Sequence, residues 1–179
     1  AKKIRKMMDF PNVTKEDIVG RENDLNRILL SAHYHIFRDS EVRKSSPVPL
    51  PKIFILKGSS GSGKTFFAEA CQRAVFEEGL EYGMLVQYAS LKPENVYTMW
   101  YGRSVQQLGA FFQEAFQRPS IVLIDEFQAF GGKFSSTTEV GMEEKRVQTV
   151  FLERMDDLQR KNYRCILLVS TSEYETITD

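Results

Sequence analysis

Apolar positions along this chain follow two rhythms. Short runs of β-forming residues occur at Ile53–Leu56, Met84–Ala89, Ile121–Ile124 and Arg164–Ser170. Runs of this length, apolar on both sides, are what buried strands of a covered sheet require. Between them, apolar residues recur three and four apart, the spacing of one helix face. Leu25, Ile28, Leu29, Ala32 and Ile36 predict a helix over Arg21–Phe37, and the stretch after Thr65 predicts one to about Glu78, with Gly79 as its stop. Val105, Leu108, Phe112, Ala115 and Phe116 form a third stripe that ends at Arg118-Pro119. Val147, Val150, Phe151, Met155 and Leu158 form a fourth, over Met142–Gln159. Strands alternating with helices imply an α/β fold: a doubly wound, mostly parallel sheet between two helical layers.

The remaining stretches read as connections. Residues 1–13 form a tail or linker that starts basic and reaches Pro11. Thr14-Lys-Glu-Asp17 has the spacing of a capping box, so a short helical turn begins there. Arg38–Pro51, with three prolines near its end, predicts an extended linker. Leu91–Gly102 is looser and carries Trp100-Tyr101-Gly102, and Phe130–Thr138 is a Gly- and hydroxyl-rich loop. His33 and His35, two apart on a helix, face different ways and cannot hold one metal together. They read as ordinary surface and partly buried residues. No internal repeat interrupts the pattern, and residues 1–179 are expected to form a single domain.

Composition narrows the classes further. With 24 Lys plus Arg against 24 Asp plus Glu, no global field marks a nucleic-acid or membrane partner. No apolar run is long enough to span a bilayer. Cys71 and Cys165 lie in apolar contexts without metal-ligand spacing, as core thiols of an intracellular, reducing compartment (cytoplasm, nucleus or organelle matrix) do.

The candidate chemistry begins at Gly58-Ser59-Ser60-Gly61-Ser62-Gly63-Lys64-Thr65, which follows the first strand and opens a helix. This is the order a P-loop needs, G-x-x-x-x-G-K-[ST]. Its backbone N–H groups and the helix N-terminus form a positively polarised cradle for phosphate. Lys64 would reach the outer phosphates, and the Thr65 hydroxyl would ligate Mg²⁺. The third strand ends in Asp125-Glu126. In a parallel sheet the ligand crevice lies at the carboxyl ends of the strands. Asp125 would therefore approach Mg²⁺ beside Thr65, and Glu126 could polarise the water that attacks the γ-phosphate. Together these predict binding of ATP or GTP with Mg²⁺, and hydrolysis.

With these motifs the chain resembles the AAA+ ATPases and, within them, the classical AAA clade, from Asp17 to the last residue. Gly58–Thr65 looks like Walker A, followed by Phe66, and Ile121–Glu126 looks like Walker B. Asp17-Ile18-Val19-Gly20 resembles the clade's Asp-Ile-Gly-Gly element, whose backbone meets adenine, which implies ATP rather than GTP. Trp100-Tyr101-Gly102 is similar to the aromatic-hydrophobic-glycine pore loop that grips a polypeptide. Val169-Ser-Thr171-Ser172 falls where the family has Ala-Thr-Asn, its first sensor. Thr171 or Ser172 would take the role of the Asn, and the sequence does not choose between them. The resemblance implies a P-loop three-layer sandwich and an ATPase working as a homo- or hetero-oligomeric ring, a hexamer, on a protein substrate.

Departures set limits. The family's Asp-Glu-Ile-Asp is here Asp125-Glu126-Phe127-Gln128, so its second acidic position is neutral. The family's last core strand, arginine fingers, second sensor and helical lid would follow the sensor strand, and the chain stops before them. The expectation is a piece of a longer protein that alone is monomeric, binds nucleotide weakly and hydrolyses little. Two other readings stand beside protein remodelling: a nucleic-acid-directed AAA+ ATPase of the helicase-loader type, and a nucleotide-binding module with little hydrolysis.

Overall fold

The computed structural model describes residues 12–93, 104–130 and 139–172, apart from the side chains of 104 and 139–144. After a 3₁₀ turn at Lys15–Asp17 come α1 (Glu22–Ala32), a π-helical turn (His33–Phe37) and α2 (Ser40–Ser45). Then follow β1 (Ile53–Lys57), α3 (Lys64–Glu81), β2 (Gln87–Leu91), α4 (Ser104–Phe116), β3 (Ser120–Ile124), a 3₁₀ turn (Phe127–Phe130), α5 (Glu139–Arg160) and β4 (Cys165–Thr171). The sheet order is β1-β4-β3-β2 and every pairing is parallel.

Strand alternation divides the core in two. Ile121 and Leu123 of β3 and Ile166 and Leu168 of β4 face one way, against Ile28, Ile36, Phe67, Ala68, Cys71 and Val75 of the α1 and α3 layer. Val122, Ile124, Cys165, Leu167 and Val169 face the other way, against Leu108, Phe112, Phe151 and Leu158 of α4 and α5. This is the period of two that a pleated strand imposes, and it produces the three-layer α/β sandwich the sequence predicts. All five residues of β3 are buried, as a central parallel strand demands. Burial pushes both thiols up, Cys71 to about 12 and Cys165 to about 12, so they stay protonated members of the core.

Several boundaries differ from the sequence reading. The Arg38–Pro51 stretch is not extended throughout: Asp39 accepts the N–H of Glu41 at 2.9 Å and caps α2. The first helix ends at Phe37 as predicted, where Arg38 takes φ 56°, but its last turn from His33 is π-helical. Gly79 does not end α3, which continues to Glu81. It marks a close approach instead, because a Cβ there would lie 2.7 Å from Val86 Cγ2 and 2.8 Å from the Met84 carbonyl. The second strand accordingly starts at Gln87 rather than Met84, since residues 84–86 make the return from the helix, with Met84 N–H bonded to the Gly79 carbonyl at 2.8 Å. The two histidines also differ in exposure. His35 is buried and its Nε2 meets the Leu50 carbonyl at 2.6 Å, whereas His33 pairs with Glu78 across 2.8 Å.

Candidate nucleotide-binding site

The loop after β1 is tied to the sheet at its first residue, where Gly58 N–H donates to the Thr171 carbonyl of β4 at 3.3 Å. It then turns through two left-handed positions, Gly61 at φ 76° and Gly63 at φ 84°, which side chains rarely tolerate. Gly63 is the N-cap of α3, and the first intrahelical bond runs from Phe67 N–H to the Gly63 carbonyl at 2.9 Å. The N–H groups of Lys64, Thr65 and Phe66 thus have no partner within the helix. They lie at the positive end of its dipole.

A cavity of about 280 Å³ opens in front of them. Its lining includes Gly61, Lys64, Thr65, Asp125, Glu126 and Ser172. The volume is just below the usual range for ligand pockets. Lys64 is nearly buried, with Nζ held by the Gly58 carbonyl at 2.8 Å and the Ser59 carbonyl at 2.7 Å.

Across the cavity, the strand ends supply oxygen. Counting along β3, Asp125 falls on the same side as Ile121 and Leu123, the side covered by α3. Thr65 Oγ1 accordingly contacts both Asp125 carboxylate oxygens, at 3.0 and 2.9 Å. A hydroxyl and a carboxylate so close offer only hard oxygen ligands, the kind Mg²⁺ prefers. The donor set therefore fits a magnesium ion held by Thr65 and Asp125.

Ser170 completes this cluster, and sequence reasoning missed it. It is fully buried on β4, on the same side as Ile166 and Leu168. Its hydroxyl donates to Asp125 Oδ1 at 2.5 Å and accepts the Glu126 N–H at 2.9 Å. Glu126 has φ 49°, an uncommon conformation for a non-glycine residue, and the Ser170 bond holds it while the side chain stays exposed at the cavity. The available signal was strand parity: a serine two residues past Leu168 must share its face.

Of the two sensor candidates, Ser172 lines the cavity and Thr171 does not. Gly58, Ser59 and Ser62 are also outside the lining, though Ser59 and Gly58 carbonyls hold Lys64. Asp17, Ile18, Val19 and Gly20 form a separate entry segment, with Ile18 buried beneath it. Asp17 accepts the Thr14 N–H at 2.8 Å and the Thr14 hydroxyl at 3.0 Å, which holds its carboxyl below the usual range. Its side chain is committed to that turn, and none of the four residues lines the phosphate cavity. Trp100, Tyr101 and Gly102 lie outside the described residues.

A glycine loop between strand and helix, facing an acidic strand end in a parallel sheet, defines a P-loop nucleotide-binding domain. Comparison with known proteins specifies it further. Residues 54–179 match the model of the "ATPase family associated with various cellular activities (AAA)", and the chain belongs to that family. Protein CdcH of Halobacterium salinarum is 28% identical over 92% of the chain. The cell division cycle protein 48 homolog of Archaeoglobus fulgidus is 29% identical over 93% of it. The chain spans 21% of the length of each, about a fifth. Among solved structures, the E. coli MS115-1 HORMA:CdnC:Trip13 complex contains a chain of the same fold, with TM-score 0.66 and 19% identity over 88% of this chain and 57% of that one. No helix among the described residues is long and apolar enough to cross a membrane.

Proposed function

We propose that this chain is the ATP-binding core of an AAA ATPase that couples hydrolysis of Mg-ATP to remodelling or threading of a protein substrate in a ring assembly, a hexamer of like or unlike subunits. The observation that carries the reading is the Thr65 hydroxyl against the Asp125 carboxylate at 2.9 Å, within one cavity with Lys64 and Glu126, in a chain of the AAA family. In this reading the loop and the α3 N-terminus bind the phosphates, and Lys64 neutralises the outer ones. Thr65 and Asp125 would hold magnesium, which would supply stabilisation of the phosphate charge. Glu126, exposed beside that pair, takes a proton from the attacking water. Asp17–Gly20 meets adenine through its backbone. Trp100-Tyr101-Gly102 contacts the polypeptide, since aromatic rings give large, sequence-tolerant contact at low entropy cost.

Titration with Mg-ATP and Mg-GTP tests the binding half: saturable ATP binding, weakened by EDTA, is expected, and equal affinity for both nucleotides would remove the adenine role of Asp17–Gly20. The catalytic half is tested in the full-length oligomer, where Glu126→Gln should bind ATP as the parent does but not turn it over. Retained turnover in that variant would sink the assignment of Glu126. Trp100→Ala should abolish substrate-stimulated hydrolysis and leave nucleotide binding intact.

A further inference from the structure

Gln128 lies outside the phosphate cavity, yet it holds a residue that lines it. Its side-chain amide makes two bonds to Ser172: the Ser172 N–H donates to Gln128 Oε1 at 3.2 Å, and Gln128 Nε2 donates to Ser172 Oγ at 2.5 Å. The backbone N–H can be satisfied only by an oxygen, so it fixes which end of the amide faces which atom. The nitrogen must then face the hydroxyl, and an amide nitrogen has no acceptor capacity. The Ser172 oxygen therefore accepts, and its proton must point elsewhere.

Gln128 is itself firmly placed. It sits in the 3₁₀ turn whose flanking rings, Phe127 and Phe130, pack on Phe151 at centroid distances of 5.4 and 5.3 Å. The turn is closed by Ala129 N–H on the Glu126 carbonyl at 2.8 Å.

We propose that Gln128 is a positioning residue that makes the Ser172 hydroxyl a hydrogen-bond donor directed into the phosphate cavity, where it recognises the terminal phosphate of ATP. This rests on the nucleotide reading above and adds to it a source of preference for ATP over ADP. It also accounts for two departures from the family pattern together. Where the family pattern has a carboxylate at position 128 and an asparagine at 172, this chain has an amide and a hydroxyl in contact. A carboxylate opposite Ser172 would accept both its N–H and its hydroxyl proton, and the cavity would lose a donor.

The test is the ratio of ADP to ATP dissociation constants, measured calorimetrically with Mg²⁺ for the parent, Q128E, S172A and the double variant. Glutamate keeps the size and the bond to Ser172 N–H but captures the hydroxyl proton. Q128E and S172A should each lower the preference for ATP about ten-fold, as loss of a bond to a charged phosphate does, and the double variant should lose no more than S172A alone. The same added loss from Q128E in the S172A background would mean that charge repulsion alone acts, and would overturn the proposal. Q128M adds no charge and covers the case in which Q128E folds poorly. It frees the hydroxyl to rotate and should lower the preference about three-fold, and an unchanged ratio would also overturn the proposal. A parent chain that binds ADP and ATP equally removes the role of Gln128 while leaving the nucleotide site standing, whereas a parent that binds neither brings down both.

Discussion

The two ends of α3 carry similar polar groups and do different things with them. At the N-terminal end, Thr65, Asp125, Ser170 and the Glu126 N–H form a chain of hydrogen bonds beside an open cavity. At the C-terminal end, His33 pairs with Glu78 at 2.8 Å and lies 3.5 Å from Asp39, and the Tyr82 hydroxyl donates to Asp39 at 3.1 Å. There Phe37 stacks on Tyr82 with centroids 4.9 Å apart, and Asp39 also accepts the N–H that starts α2. The second cluster closes on itself and fastens α1 to α3. The first leaves helix N–H groups and carboxylate lone pairs facing the cavity. Hydroxyl and carboxylate groups are common to both ends. Unsatisfied backbone donors and room for a ligand are what set the N-terminal end apart.

Nucleotide affinity and fold stability should therefore separate along the helix. The largest effect is expected at Lys64: Lys64→Ala should cost about 3 kcal/mol of ATP affinity, more than a hundred-fold, while the melting temperature hardly moves. A parallel fall in stability would mean that the lysine serves mainly to tie down its own loop. Next, Gly79→Val near the other end should destabilise by about 2–3 kcal/mol through overpacking against Val86. A drop of about 5–10 °C in the thermal midpoint follows, with the dissociation constant for ATP measured at low temperature unchanged.

A matched pair sharpens the comparison. Ser170→Ala and Tyr82→Phe each delete one hydroxyl; loss of the buried Ser170 hydroxyl should cost about 1–2 kcal/mol of stability, and loss of the exposed Tyr82 hydroxyl less. Only Ser170→Ala should also weaken Mg-ATP binding, because it releases Asp125 and the Glu126 backbone. Chemical denaturation and calorimetry on both variants would show whether the two losses divide that way.

The smallest effect concerns acid. Burial lowers the pKa of His35, and Lys52 and Arg43 nearby act in the same direction against a raising bond to the Leu50 carbonyl. The unfolded chain, with its histidine near 6.5, binds the proton more readily than the folded one. Stability from this group is therefore complete above about pH 6.5, falls as the pH drops through that value, and levels off below the folded pKa. Denaturation midpoints at several pH values should show this slope in the parent, and His35→Gln should reduce it. An equal slope in both would place the acid sensitivity elsewhere.

Much of this architecture is written in local pattern. The stripes Val105–Phe116 and Val147–Leu158 are one-sided, so they announce helices and their buried faces. The P-loop and Asp125-Glu126 could be joined across sixty residues because parallel strands deliver their carboxyl ends to one crevice. What stayed hidden depended on which residues meet across elements. In sequence Ser170 is one more residue of a strand, and only the β3–β4 register, with Ile124 opposite Val169, brings it to Asp125. Gln128 and Ser172 read as separate departures because sequence does not show that their side chains touch. Gly79 reads as a stop because sequence does not show that Val86 returns against it.

The attachment of Gly58 to Thr171 has a consequence for how the domain reaches its working form. β4 pairs with β1 on one side and β3 on the other, so its alignment decides at once where the phosphate loop starts and which face Ser170 takes. A slip by one residue would reverse those faces and separate Ser170 from Asp125. Such a misaligned chain would have no phosphate site. Nucleotide would then stabilise only the correctly aligned form, by an amount that grows with its concentration. In refolding, ATP should act as a proofreader of strand alignment, raising the yield of native protein before any hydrolysis takes place.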